Sequence, residues 1–110
     1  MVDIQRESTE YVFLGVAGDE PSGGAEVAFL PFGTRPTAEW SAAILVNAAH
    51  ELWAEAQSTG VTGDYYLARL IGSFGTGGLE LVPDDYQPWA RLTSTIEQVV
   101  LIAPTTLTIA

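Results

Sequence analysis

The segment Tyr65-Tyr66-Leu67-Ala68-Arg69-Leu70-Ile71 carries the clearest fold signal in the sequence. It is rich in aromatic and aliphatic residues, and turn-forming glycines lie on both sides of it. A short apolar run bounded in this way predicts a β-strand. Side chains of a strand alternate between two faces, so we expect Tyr65 and Leu67 on one face and Tyr66 on the other.

Further segments of this kind recur along the chain, separated by turns rich in Gly and Pro. Short strands at roughly 8–12-residue spacing are typical of a β-sandwich or a β-barrel. Pro88 lacks a backbone donor, so its strand is expected at a sheet edge or at a bulge. The expected strands are residues 11–16, 26–30, 65–71, 79–82, 86–93, 98–103 and 105–109.

Residues 37–57 support two interpretations. Thr37 is a suitable N-cap for a short helical turn over residues 37–40. Alanine is abundant in residues 41–57 and apolar residues recur at helical spacing, which favours an amphipathic helix. The same region also accommodates two short strands, at residues 43–46 and 50–56. We therefore expect a mixed structure, with one short helix within residues 37–57.

Length and composition bound the domain organisation and the class of partner. The chain has 110 residues, no Cys and 47% apolar residues, which indicates one domain over residues 10–110 with its own core and without disulfides. Residues 1–9 are polar and are expected to form an arm that is loose or ordered by a partner. No leader or membrane-spanning stretch is expected, because no apolar run, that of residues 42–46 included, is longer than five residues.

Charge argues against nucleic acid and anionic membranes as partners. The formal net charge is −10, with four Arg and no Lys. Nucleic-acid-binding proteins neutralise phosphates with Lys and Arg, and anionic lipid surfaces attract the same residues. A protein face rich in Arg or Lys is the better candidate partner.

The residues offer no catalytic, metal or cofactor motif. His50 is the only His, and Ala54 stands where a zinc-protease motif needs its second His. Residues 72–78 are rich in Gly, but a phosphate-binding loop needs a Lys and a following helix. Asp84 and Asp85 lack the ligand spacing of a calcium loop and are expected in a turn. We therefore expect a protein that is not an enzyme.

Several short motifs follow one another in a definite order over residues 10–110. They are Glu26-Val27-Ala28-Phe29-Leu30-Pro31, Arg35-Pro36-Thr37-Ala38-Glu39-Trp40-Ser41-Ala42, Tyr66-Leu67-Ala68-Arg69-Leu70-Ile71-Gly72, Tyr86-Gln87-Pro88-Trp89-Ala90-Arg91-Leu92-Thr93 and Ile96-Glu97-Gln98-Val99-Val100. Their order resembles a group of small virion proteins of long-tailed actinobacteriophages, encoded in the gene block of capsid and head–tail connector proteins. This chain departs from the group in its Ala-rich residues 41–57 and in Pro104, which replaces a Gly.

The resemblance implies an all-β fold, an immunoglobulin-like antiparallel β-sandwich, without catalysis. It also implies a structural protein of the virion, made in the bacterial host cytoplasm and working in many symmetric copies. The head–tail connector or neck is the leading expectation, docking on a larger ring or shell. Capsid decoration and a tail-tube or tail-tip role are the alternatives in the same class.

Six residues are candidate interface positions, because they place apolar or Arg side chains in the arm and in Gly- or Pro-rich loops. They are Ile4, Arg6, Phe32, Arg35, Trp40 and Phe74. A carbohydrate-binding module is the alternative from another class. It would need exposed coplanar aromatic residues, for which Tyr65, Trp53 and Trp89 are the candidates.

Overall fold

The described residues form an all-β sandwich with one short helix. The computed structural model describes residues 2–5, 8–72, 77–94, 96–103 and 106–110. Within these ranges the elements, in chain order, are β1 (Val2–Ile4), β2 (Glu10–Val16), β3 (Ala25–Pro31), β4 (Ser41–Ala42), β5 (Ile44–Val46), α1 (Trp53–Ser58), β6 (Tyr65–Ile71), β7 (Asp84–Thr93), β8 (Gln98–Ile102) and β9 (Leu107–Ile109).

The strands form two sheets, here called the large sheet and the small sheet. The large sheet has the order β1-β9-β7-β3-β4, and β8 also pairs with β7. The small sheet has the order β2-β6-β5. The long pairs β3–β7 and β2–β6 are antiparallel, whereas β1 runs parallel to β9. The expectation of strands packed as a sandwich is confirmed.

The core lies between the facing sides of the two sheets. Val27 and Phe29 of the large sheet and Leu14 and Leu67 of the small sheet belong to this cluster, and Leu67 is fully buried. Tyr65 also lies here, with 1% of its surface exposed. Alternation along β6 therefore places these residues as the sequence predicted.

The outer faces of both sheets are also partly covered. Helix α1 covers the small sheet, where Ala56 packs with Phe13 and Tyr66. Trp40 covers the large sheet, where it packs against a cluster that includes Trp89. Because both faces are covered, β2, β3 and β6 bury nearly continuous apolar runs rather than alternating ones.

The structure resolves the two interpretations of residues 37–57 into a mixture. Strands β4 and β5 come first, and the helix α1 begins only at Trp53. The predicted strand at residues 50–56 is wrong, because His50 Nδ1 accepts a hydrogen bond from the backbone N–H of Leu52 at 3.1 Å in the turn that precedes α1. The predicted helical turn at residues 37–40 is also wrong, since the Glu39 carboxylate takes the hydrogen bonds of that loop.

The arm prediction needs correction at its first residues. Val2–Ile4 form β1, which pairs with Leu107–Ile109. Ile4 is 3% exposed and belongs to the main core cluster. The physical reason is that β9 would otherwise be an open edge, which β1 covers with its own backbone hydrogen bonds.

Pro88 lies in a central strand rather than at an edge. β7 pairs with β3 on one side and with both β8 and β9 on the other. The carbonyl of Pro88 accepts a hydrogen bond from Ala103 N at 3.0 Å. The nitrogen of Pro88 points to the same flank of β7, at the position where pairing with β9 ends and pairing with β8 begins. A proline is tolerated there because the ladder is already interrupted. The expected strand at residues 79–82 is reduced to a single bridge between Leu79 and Ile71.

Candidate docking surface

The connection between β3 and β4 begins with a tight turn that presents Phe32. The N–H of Thr34 donates to the carbonyl of Pro31 at 3.2 Å, and Gly33 between them has φ +84°. Turns with positive φ at the third position favour glycine there. This geometry holds Phe32 at the turn apex, where 55% of its surface is exposed.

Arg35 lies on the outer face of the large sheet. Its guanidinium carbon is 5.5 Å from the centre of the Trp89 ring, a cation–π geometry. Arg35 is exposed and forms no ion pair with any described residue. Its positive charge is therefore available to a carboxylate of another molecule.

Phe32 and Arg35 line one shallow depression together with residues of β7 and β8. Its volume is about 340 Å³. Trp89 forms part of its lining, and Ile102, which is 56% exposed, contributes the end of β8. This set, Phe32, Arg35, Trp89 and Ile102, is called the Arg35 surface below.

Trp40 supports this surface without protruding from it. It is half-buried, and the guanidinium carbon of Arg91 is 4.6 Å from its ring centre. Arg91 is in turn paired with Glu26 on the neighbouring strand, at 3.0 Å from Arg91 Nε to Glu26 Oε1. The row Trp40–Arg91–Glu26 fixes the loop after β3 against the sheet.

Glu39 fixes the same loop from its solvent side. Its carboxylate accepts hydrogen bonds from Ala38 N at 3.1 Å, from Thr37 Oγ1 at 2.9 Å and from Thr37 N. These bonds, that of Ala38 first, hold the pKa of Glu39 below its ordinary value. The loop is thus ordered by its own carboxylate immediately before Trp40.

The six candidate interface residues are only partly brought together. Phe32 and Arg35 share one surface, with Trp40 next to it packing on the Trp89 cluster. Ile4 lies in the core and is not accessible. Arg6 and Phe74 lie outside the described residues. Sequence reasoning missed Ile102, whose apolar run over residues 99–102 is typical of a buried strand.

Strand β8 runs beside the Arg35 surface and is exposed throughout. Its four apolar residues are each between 39% and 56% exposed: Val99, Val100, Leu101 and Ile102. No described strand pairs with its second edge. Four apolar residues in succession on an open edge are unusual in a soluble protein.

The aromatic residues considered for carbohydrate binding do not form a platform. Tyr65 lies between the sheets and is 1% exposed, and Trp89 is 6% exposed on the outer face of the large sheet. Trp53 packs on Tyr66 on the outer face of the small sheet, with 5.3 Å between ring centres. Three different locations exclude a shared sugar-binding face for these three residues.

Two other kinds of site are absent from the residues that the structure describes. Among the residues that the structure describes, no group of three or more His, Asp or Glu side chains is placed to hold a metal ion. In the same part of the chain, no helix has the length and hydropathy needed to cross a membrane.

No protein-family model, no curated protein and no solved structure matches this chain.

Proposed function

We propose that this chain is a non-enzymatic structural subunit of a bacteriophage virion that docks on a larger ring or shell through the Arg35 surface. The observation that carries the proposal is the meeting of Phe32 and Arg35 at one depression on the outer face of the large sheet. The motif resemblance to actinobacteriophage virion proteins supports the head–tail connector or neck as its place. The description of the sandwich as immunoglobulin-like belongs to the same proposal.

The Arg35 surface has the composition of a docking site. Aromatic residues and Arg are enriched at protein interfaces and dominate their binding energy, especially where a flat side chain fills a depression. Phe32 is 55% exposed and Ile102 is 56% exposed, so the surface offers an apolar area around the charge of Arg35. A partner with a carboxylate beside an apolar residue fits this arrangement.

The rest of the surface favours a basic partner at longer range. The net charge of −10 attracts faces rich in Arg or Lys, such as those between subunits of a connector or a capsid. The subunit would be made in the host cytoplasm and incorporated from there into the particle. Other virion proteins, not nucleic acid or membrane, are its proposed partners.

Incorporation of a double variant, Phe32→Ala with Arg35→Ala, tests the proposal. Both side chains are exposed, so the variant should keep the melting temperature of the original within a few degrees. Loss of two central contact residues weakens an interface by about 2–4 kcal/mol, or about 30- to 1,000-fold in affinity. The amount of the chain in purified particles, measured by quantitative mass spectrometry, should fall accordingly.

Val82→Ala is the matched control, because Val82 is 73% exposed and does not line the Arg35 surface. It should be incorporated normally. Normal incorporation of the double variant would refute the docking surface, and absence of the chain from particles would refute the virion role. Copy number then gives the location: roughly a dozen or fewer for a neck ring, and hundreds for capsid decoration.

A further inference from the structure

Strand β8 has an open edge without the features that usually protect one. Native edge strands are short, charged, bulged or interrupted by proline. β8 is five residues long, and Gln98–Ile102 contains no charge and no proline. Among the other strands that end a sheet in the described chain, β1, β4 and β5 have only two or three residues, and β2 has seven but begins with the charged Glu10.

The hydrogen-bonding pattern shows which backbone groups point outward. Ser94 N donates to Glu97 O, and Ala103 N donates to Pro88 O, at the two ends of the β7–β8 pair. Antiparallel ladders alternate, so residues 97, 99, 101 and 103 direct their N–H and C=O groups at β7. Gln98, Val100 and Ile102 therefore direct theirs at the open edge.

We propose that β8 pairs antiparallel with β8 of a second copy of this chain, about a twofold axis at Val100. In this register Gln98 faces Ile102 of the second copy, and Val100 faces Val100. All outward backbone groups of both strands then find partners. The edge is thus complementary to itself, as an interface between two identical subunits must be.

Charge distinguishes antiparallel from parallel pairing. Glu97 lines a depression with Asp19 and Glu20 where β8 begins. Antiparallel pairing keeps the two acidic ends apart, whereas parallel pairing would place them side by side. Gln98–Ile102 holds no charged residue, so no like charges meet within the paired segment. The net charge of −10 on each copy adds repulsion at longer range, which keeps the pair weak.

Apolar contacts add to the backbone bonds. Val99 lies beside Leu101 of the second copy on one face of the joined sheet, and the two Val100 side chains lie together on the other face. The interface is small, so the pair is expected to be weak, with a dissociation constant of about 10–500 μM. Because the twofold axis is perpendicular to the sheet, both Arg35 surfaces face the same way.

Charge-pair variants at position 100 test the twofold axis directly. Val100→Lys and Val100→Glu each place like charges opposite one another and should weaken self-association about 100-fold. An equimolar mixture of the two variants should associate again as a heterodimer. Val82→Lys, which adds the same charge at an exposed position off the edge, should dimerise like the original. Sedimentation velocity of the full chain measures all four, and circular dichroism checks that each is folded.

A cysteine variant gives a second measurement if a charge disturbs the hairpin. The chain has no Cys, so Val100→Cys introduces the only thiol. Mild oxidation should link it to its twofold mate, whereas Val82→Cys should link much more slowly. A chain that stays monomeric at about 1 mM, or a Lys–Glu mixture that associates no better than either variant alone, would overturn the proposal.

Discussion

Two buried tyrosines should respond in opposite directions to loss of their hydroxyl groups. Tyr86 donates to the carbonyl of Val82 at 2.7 Å. Tyr65 is 1% exposed, and among the described residues its hydroxyl has no hydrogen-bond partner. Tyr86→Phe therefore removes a hydroxyl that forms a hydrogen bond, whereas Tyr65→Phe removes one that forms none with the described residues.

The magnitudes follow from the partners. A buried polar group without a hydrogen bond costs about 1–3 kcal/mol, whereas a typical hydrogen bond contributes about 1 kcal/mol net. Tyr65→Phe should leave stability unchanged or raise it by up to about 1.5 kcal/mol, since a small void offsets part of the gain. Tyr86→Phe should lower it by about 1 kcal/mol. For a chain of this length, 1 kcal/mol shifts the melting temperature by roughly 4–5 °C.

Urea and thermal unfolding of both variants at neutral pH measure the difference. We expect the Tyr65→Phe variant to be the more stable by about 1–2.5 kcal/mol. Equal destabilisation by the two substitutions would refute the reasoning, because it would show that the Tyr65 hydroxyl is satisfied in solution.

Two further predictions concern the loop that carries the Arg35 surface. Gly33→Ala should destabilise the protein by about 1 kcal/mol and weaken docking, because φ at Gly33 is +84° and alanine is strained there. Unchanged stability in urea unfolding would contradict the positive φ at this turn. Glu39, whose pKa is lowered by its bonds to Ala38 and Thr37, stabilises the loop above its ordinary value of 4.5, and this contribution is lost as pH falls through the lowered pKa. The Thr37 and Ala38 amide NMR signals should therefore titrate with a midpoint below 4.5 and stop titrating in Glu39→Gln; a midpoint at or above 4.5 would argue against the hydrogen bonds.

Local sequence predicted the long strands well, because their signals are local. β6 is observed as Tyr65–Ile71, with the predicted bounds, and β7 extends the expected strand by two residues at its start. Gly- and Pro-rich turns separate these strands in the sequence, so the strand propensity of each segment and the turn residues around it predict the same bounds.

The errors arise where distant residues decide the outcome. Whether Ile4 is loose or buried depends on Leu107–Ile109, at the other end of the described chain. Pro88 could be central because two successive strands share one flank of β7. The helical turn predicted at Thr37 was displaced by the side chain of Glu39. None of these partners can be recognised from local periodicity.

The residues of the Arg35 surface were likewise predicted only in part. Phe32 and Arg35 were identified from the sequence because they lie in a loop rich in Gly and Pro, where core packing has no obvious need of their side chains. Ile102 was not, because an apolar run has the same appearance in a buried strand and in an exposed edge. Exposure of β8 became visible only in the folded arrangement.

The parallel pairing of Val2–Ile4 with Leu107–Ile109 has a consequence for biosynthesis. Its two strands are translated first and last among the described residues, so the large sheet cannot close until β9 has left the ribosome. Core strands can assemble earlier, whereas β1 must wait for its partner. Contacts at such sequence separation form slowly, which makes the pairing of β1 with β9 one of the last steps in the assembly of this sheet.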